Sequence, residues 1–266
     1  MYKDFYGFRE KPFSKTPDPR FLFLSRGHRE ALARLQYAVE EREMALLTGE
    51  IGCGKTTLSR ALMDTMGDSF RFCFIFNPRL THLEFLRIIA RSLDNSDPPH
   101  GKDDLLATIT ETIYRLHSRG VTPVIVIDEA QLIPDREVFD EIRLLTNYQL
   151  DDRNLLSFVI MGQPELREML AKDIYEPLRQ RIAIQFHLHP LDLAETLEYI
   201  DFRLETAGGP AGIFTPDAVQ KIHELTGGVP RKINIVATNA LLVGFGRDAA
   251  IIDGTIIDEV KDELTR

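Results

Sequence analysis

Two short stretches of this chain carry residues whose types and spacing can do chemistry on phosphate. Gly49, Glu50, Ile51, Gly52, Cys53, Gly54, Lys55 and Thr56, followed by Thr57, fit G-x-x-x-x-G-K-[ST] in full. Glycines at those places let backbone N–H groups turn inward and wrap phosphate oxygens, and a helix opening at the end of the motif adds partial positive charge. In such a loop Lys55 reaches the β- and γ-phosphates and the Thr56 hydroxyl ligates Mg2+. Cys53 occupies a free position of the loop and is given no role of its own. The second stretch is VIVIDEA, four apolar residues ending in Asp128 and Glu129. An Asp at the C-terminal end of a strand can hold Mg2+ or its water shell, and the next carboxylate can orient and polarise an attacking water. The pair points to hydrolysis of a nucleotide, beyond binding alone.

Four further positions are candidates for the same chemistry. Asn77 follows an apolar run in FIFNP and either turns the chain before Pro78 or hydrogen-bonds Glu129 and holds it away from water. Gln163, in VIMGQPEL, either starts a helix or touches the γ-phosphate or the water. Arg179 and Arg181, in YEPLRQRIAIQF, offer guanidinium groups to a developing phosphoryl charge, or pair with carbonyls at a helix end. Arg231, in GGVPRKIN, opens a late helix and could project over the phosphates or into solvent.

The elements that must position these residues alternate. MALLT, FRFCFIF, VTPVIVID, LLSFVIMG and IAIQFHL read as strands, with helical stretches between them. Fully apolar strands alternating with helices predict an α/β fold with a parallel sheet covered on both faces. From residue 191 the strand signals stop and only helical stretches remain. The predicted organisation is an aromatic-rich arm over 1–24 packed on the core, a nucleotide-binding core over 25–190 and a helical lid over 191–266. In the arm, Pro12, Pro17 and Pro19 interrupt any regular helix. Nucleotide is expected in the crevice between core and lid.

Bulk properties exclude several classes. No apolar run approaches the roughly 18 residues that span a bilayer, and the start lacks the apolar segment of a signal peptide, so a cytoplasmic location is expected. Two cysteines without C-x-x-C spacing indicate neither zinc nor a disulfide framework. The net charge of −9, from 32 basic and 41 acidic residues, leans against a sequence-blind DNA binder, although DNA stays open as a partner.

The whole set resembles the AAA+ ATPases, and more closely those of the ExeA (general secretion pathway protein A) type. The stretches FYGFREKPFSKTPDPRFLFLSRGHREAL, TGEIGCGKTT, VIDEAQ, IRLLTNYQ, GQPELREML, LRQRI and GGVPRKIN carry the likeness, in family order. The resemblance implies a P-loop NTPase with a five-stranded parallel sheet of order 5-1-4-3-2 and a helical C-terminal lid. It makes Gly49 to Thr56 Walker A, Asp128 with Glu129 Walker B, Gln163 sensor 1 and Arg231 sensor 2. Arg179 or Arg181 falls in the arginine-finger region, and Leu24 to His28 falls where such proteins contact adenine. ATP and Mg2+ are the implied ligands. Assembly as a ring or filament with ATP at subunit interfaces is implied, as is an unidentified envelope or secretion partner that could hold the chain at the inner face of the membrane. Members that work with a secretin carry a transmembrane helix and a periplasmic peptidoglycan-binding region beyond the ATPase, and neither occurs in these 266 residues. A DNA-associated ATPase of the transposition or replication type is the alternative.

Overall fold

A computed structural model describes residues 1–14, 19–94, 97–150 and 153–264. Pro17 of the arm lies outside the described residues. The chain divides into two compact units. The first comprises Met1–Gly27, Glu50–Thr57 and His189–Arg266, and the second His28–Gly49 and Leu58–Leu188.

The second unit holds five parallel strands: β1 (Met44–Gly49), β2 (Phe70–Ile75), β3 (Thr122–Ile127), β4 (Ser157–Gly162) and β5 (Ile182–Leu188). Their order is β2-β3-β4-β1-β5, the predicted order read from the other edge. Every residue of β1, β3 and β4 is buried, as strands covered on both faces require. The edge strands β2 and β5 are only partly buried. Because successive side chains point to opposite faces, Ile125, Ile127, Phe158 and Ile160 share one side of the sheet. They join one core with Phe85, Leu86 and Ile89 of helix α4 (His82–Asp94), Ile109 and Ile113 of α5 (Lys102–Ser118), and Phe139 and Ile142 of α6 (Arg136–Leu145). The apolar spacing of α4 and α6 marks one stripe per helix, and that stripe is what this core buries.

The first unit is helical: α9 (Leu193–Thr206), α10 (Pro216–Thr226), α11 (Pro230–Gly246) and α12 (Gly254–Leu264). The start of α9 carries a capping box, with Asp192 accepting from the Glu195 N–H at 2.8 Å and Glu195 accepting from the Asp192 N–H at 3.3 Å. Gly227, at φ 60°, ends α10 in the left-handed conformation, and its N–H donates to the His223 carbonyl at 2.8 Å.

The arm differs from its sequence reading in two ways. Ahead of the first proline it forms a short helix, α1 (Tyr2–Tyr6), closed by Gly7 at φ 76°. Its buried aromatics, Tyr6, Phe8, Phe13 and Phe21, belong to the hydrophobic cluster of the helical unit, with Leu204, Phe214, Ile233 and Val236, and not to the α/β core. The cause is Arg203 of α9, which is 6% exposed. Its guanidinium donates to the carbonyls of Pro12 (2.6 Å), Ser14 (3.2 Å) and Phe21 (3.5 Å) and lies 4.6 Å from the centre of the Phe21 ring. A buried cation is tolerable only with its donors satisfied, and the irregular, proline-bearing arm supplies carbonyls that a regular helix would use internally. Arg203→Met should destabilise the protein by at least about 3 kcal/mol, since several backbone acceptors lose a charged donor. Urea unfolding followed by aromatic fluorescence and circular dichroism checks this; a change below about 1 kcal/mol would contradict the clasp.

Candidate functional site

In the helical unit the glycine-rich loop joins β1 to α3 (Lys55–Met66). Gly52 and Gly54 sit at φ 89° and 100°, where a side chain would be strained. Lys55 is 5% exposed and its Nζ donates to the Glu50 carbonyl at 3.2 Å, which folds the loop around its own lysine. Glu50 and Ile51 are exposed, while Thr56 and Thr57 are half-buried on the first turn of α3. Arg231 meets this loop directly. Its backbone N–H donates to the Gly52 carbonyl at 3.3 Å, and a β-carbon on Gly52 would come within 2.6 Å of the Arg231 Cβ. The start of α11, which Val229 and Pro230 set, is therefore seated on the loop, and only glycine at position 52 lets it come so close. Leu24 is half-buried before α2 (Arg26–Glu40), and His28 is buried within that helix.

Cys53 is fully buried, and burial pushes its thiol up to about 11; Cys73 of β2 is raised to about 11 for the same reason. A raised thiol pKa keeps the neutral, unreactive form at ordinary pH. Iodoacetamide at pH 8 should therefore leave both cysteines largely unmodified in the folded protein and alkylate both in guanidinium. The folded state also holds these protons above the usual thiol range, so stability falls as pH rises from about 9 towards 11. Mass spectrometry reads the first effect, and rapid labelling of either native cysteine would contradict it.

In the α/β unit, Asp128 and Glu129 follow the C-terminal end of β3. Asp128 is 4% exposed, and its Oδ1 accepts the Glu129 N–H at 2.9 Å. Glu129 is in the left-handed conformation, φ 51°, ψ 39°, which is uncommon for a non-glycine residue and turns the chain sharply off the strand. Its Oε2 accepts two amide donors, Gln131 Nε2 at 2.6 Å and Gln163 Nε2 at 2.9 Å. Gln163 follows β4 as the residue before α7 (Pro164–Leu170); its side chain makes no cap bond to that helix and reaches Glu129 instead. Gln131 is a residue the motif reading passes over. Its only signal is the Q of DEAQ, and nothing in its spacing says where the amide goes.

Asn77 requires a correction. It is exposed, and its Oδ1 accepts the Arg79 N–H at 3.4 Å, so it does not hold Glu129. An Asn before Pro readily accepts a backbone N–H two residues on; of the two sequence readings the structure shows this local turn, and the Asn77 side chain makes no bond to Glu129. The two arginines also separate. Arg179, at the end of the short helix α8 (Glu176–Arg179), donates to the carbonyls of Leu170 (3.3 Å) and Ala171 (2.8 Å) and so closes the C-terminal end of α7. Arg181 lies just before β5 and donates to Asn147 Oδ1 at 2.9 Å. It lines a cavity of about 290 Å³ with Arg42, Asn154 and Gln180 at the end of the sheet where the strands begin.

The family described as AAA domain matches residues 38–170, half of the chain. The chain belongs to the AAA family. It is 39% identical to General secretion pathway protein A of Aeromonas hydrophila over 279 aligned residues, which cover 100% of this chain and 50% of that protein. The chain thus spans about half the length of this relative. Among solved structures it is similar to Cdc6p from Pyrobaculum aerophilum, with a TM-score of 0.69, 20% identity and coverage of 93% of this chain and 71% of that one. It is also similar to the ORC2 protein of Aeropyrum pernix, with a TM-score of 0.70, 16% identity and coverage of 96% and 72%. These likenesses concern the fold, a P-loop AAA+ α/β sheet with helices. No helix among the described residues is long and apolar enough to cross a membrane.

Proposed function

We propose that this AAA+ protein is a Mg2+-dependent ATPase that couples ATP turnover to an assembly or secretion step at the cell envelope. The observation that carries the ATPase reading is the Glu129 carboxylate. Oε2 is anchored by two amides, and Oε1 has no partner among the described residues. A carboxylate held by one oxygen presents the other as a base of defined direction. In the step we assign, water oxygen bonds to the γ-phosphorus as the bond from phosphorus to the β–γ bridging oxygen breaks. The electron pair of that bond leaves on ADP, and the water proton passes to Glu129 Oε1. Lys55 offsets charge on the β- and γ-oxygens, and Arg231, seated on the loop, reports the γ-phosphate.

The residues that would hold Mg2+ are Thr56 and Asp128. One hydroxyl and one nearly buried carboxylate, fixed in place by the Glu129 N–H, suit a cation that keeps several waters and shares phosphate oxygens. Bound there it would neutralise charge building on the phosphate. Leu24 and His28 are assigned to the adenine, and the loop from Gly49 to Thr57 to the phosphates.

The envelope role rests on the relation to General secretion pathway protein A. On this reading the chain works in the cytoplasm, held at the inner membrane face by a partner. The net charge of −9 counts against duplex DNA in its place. A ring or filament with ATP at subunit interfaces is the proposed working form, with Arg181 as the residue lent to a neighbour's nucleotide. Arg179 is set aside for that task because its guanidinium closes α7.

Two experiments test this reading. Lys55→Ala should abolish ATP binding or turnover, whereas Glu129→Gln should bind ATP with nearly unchanged affinity and lose at least about 100-fold in kcat. Full hydrolysis by the Glu129→Gln protein would rule out Glu129 as the base. For the trans arrangement, Arg181→Ala alone should be inactive, and mixing it with Lys55→Ala should restore part of the activity at mixed interfaces. Normal turnover by Arg181→Ala would exclude it as the finger.

A further inference from the structure

The Glu129 carboxylate is not held by the residue the strand order first suggests, and what holds it forms a closed set of contacts. Gln131 Nε2 donates to Glu129 Oε2 at 2.6 Å, Gln131 Oε1 accepts the Gln163 backbone N–H at 3.1 Å, and Gln163 Nε2 donates to the same Glu129 oxygen at 2.9 Å. The amide orientation is chemically determined. A backbone N–H can only donate, so the oxygen of Gln131 must face Gln163, and its NH2 group must then face the carboxylate, which can only accept when ionised. The approach is close on the β4 side as well. A β-carbon on Gly162 would come within 2.7 Å of Gln131 Oε1, so glycine at the end of β4 is what admits this side chain.

Local backbone explains why residue 131 can serve residue 129. Glu129 at φ 51° leads into a single 3-10 turn, Ala130–Leu132. That turn brings a side chain two positions later back to the carboxylate, which an extended continuation of β3 would send along the strand. Gln131 thereby joins the residue after β3 to the residue after β4. With only Gln163, the carboxylate would have one donor and could swing about its own side-chain torsions; with two donors on one oxygen, its plane is set.

We infer that Gln131 is a positioning residue, tying the Glu129 carboxylate to the end of β4 so that Oε1 is aimed at the attacking water. This inference rests on the ATPase reading above and adds to it a residue outside the Walker and sensor motifs. It differs from a merely structural role, in which Gln131 only satisfies the Gln163 N–H at the start of α7.

Two substitutions separate these roles. Gln131→Glu keeps an oxygen for the Gln163 N–H but removes the donor to Glu129 and sets a second carboxylate beside it. Gln131→Met keeps the length and removes both bonds. Both should lower kcat for ATP by about 10- to 100-fold, the scale of an active group set off its geometry, with KM changed less than about threefold. Affinity for a fluorescent ATP analogue should be unchanged. Unchanged kcat in Gln131→Glu, with lowered stability in Gln131→Met, would overturn the assignment in favour of the structural role. Glu129→Gln is run beside them. If it turns over ATP normally, the base assignment fails, and the tie itself is judged separately. The side-chain amide resonances of Gln131 in 15N-labelled protein should move in Glu129→Ala when the tie exists; resonances that stay in place would overturn it.

Discussion

A parallel sheet brings the C-terminal ends of all its strands to one edge, and the chemistry proposed for this protein depends on that constraint. β3 and β4 are neighbours in register, with Ile127 opposite Ile160. The residues that follow them, Asp128 and Glu129 on one side and Gln163 on the other, therefore emerge side by side although they are more than 30 positions apart in the chain. β1 pairs with β4 on its other side, Thr48 opposite Gly162, so β1 ends at the same edge. Helices cover both faces and exclude water from the strands. The polar groups at the strand ends are thus left with few partners other than one another, and a buried or half-buried amide beside a carboxylate settles into the arrangement that satisfies both.

The helical unit is built by a different rule. Its four longer helices bury a common cluster, and the irregular arm completes that cluster with aromatic rings. A buried cation with its carbonyl acceptors helps tie the arm down, and in it Arg203 uses the very irregularity of the segment. The same unit contains the phosphate-type loop, because α11 begins against Gly52. A loop that must wrap an anion needs exposed N–H groups and few side chains. Such a loop has little apolar surface with which to anchor itself, and the rigid start of α11 gives it a backbone partner.

The strands and most helices were legible because periodicity and burial leave direct marks on residue type, whereas the strand order came from the family resemblance and not from the pattern. Runs such as VIVI fit strands covered on both faces, and GEIGCGKTT is constrained at several positions by backbone conformation and charge. The arm was only half legible. Its aromatics announced burial, but their spacing could not say against which surface, since Arg203 lies about 190 positions from Pro12 and is itself an unremarkable arginine on a helix. Arg179 and Arg181 stood as equals in the sequence. Only the position of the α7 carbonyls, which occupy one guanidinium, told them apart.

The polar contacts around Glu129 were the least legible part, and the reason is physical. Apolar burial is cumulative and tolerant of exact position, so a pattern of types predicts it. An amide bond is a choice between nearby partners that differ by about 1 kcal/mol net. Asn77 had a carboxylate to reach for with its NH2 group, but its Oδ1 accepts a backbone N–H two residues on, and that local turn sets the side chain at less cost in chain entropy. Gln131 is two residues from Glu129, yet in an extended strand continuation the two side chains, though on one face, would run side by side from backbone positions about 7 Å apart. The left-handed conformation at Glu129, which no glycine announces, is what closes that distance. A motif of residue types therefore identifies the carboxylate, while the backbone turn at that carboxylate decides which neighbour holds it.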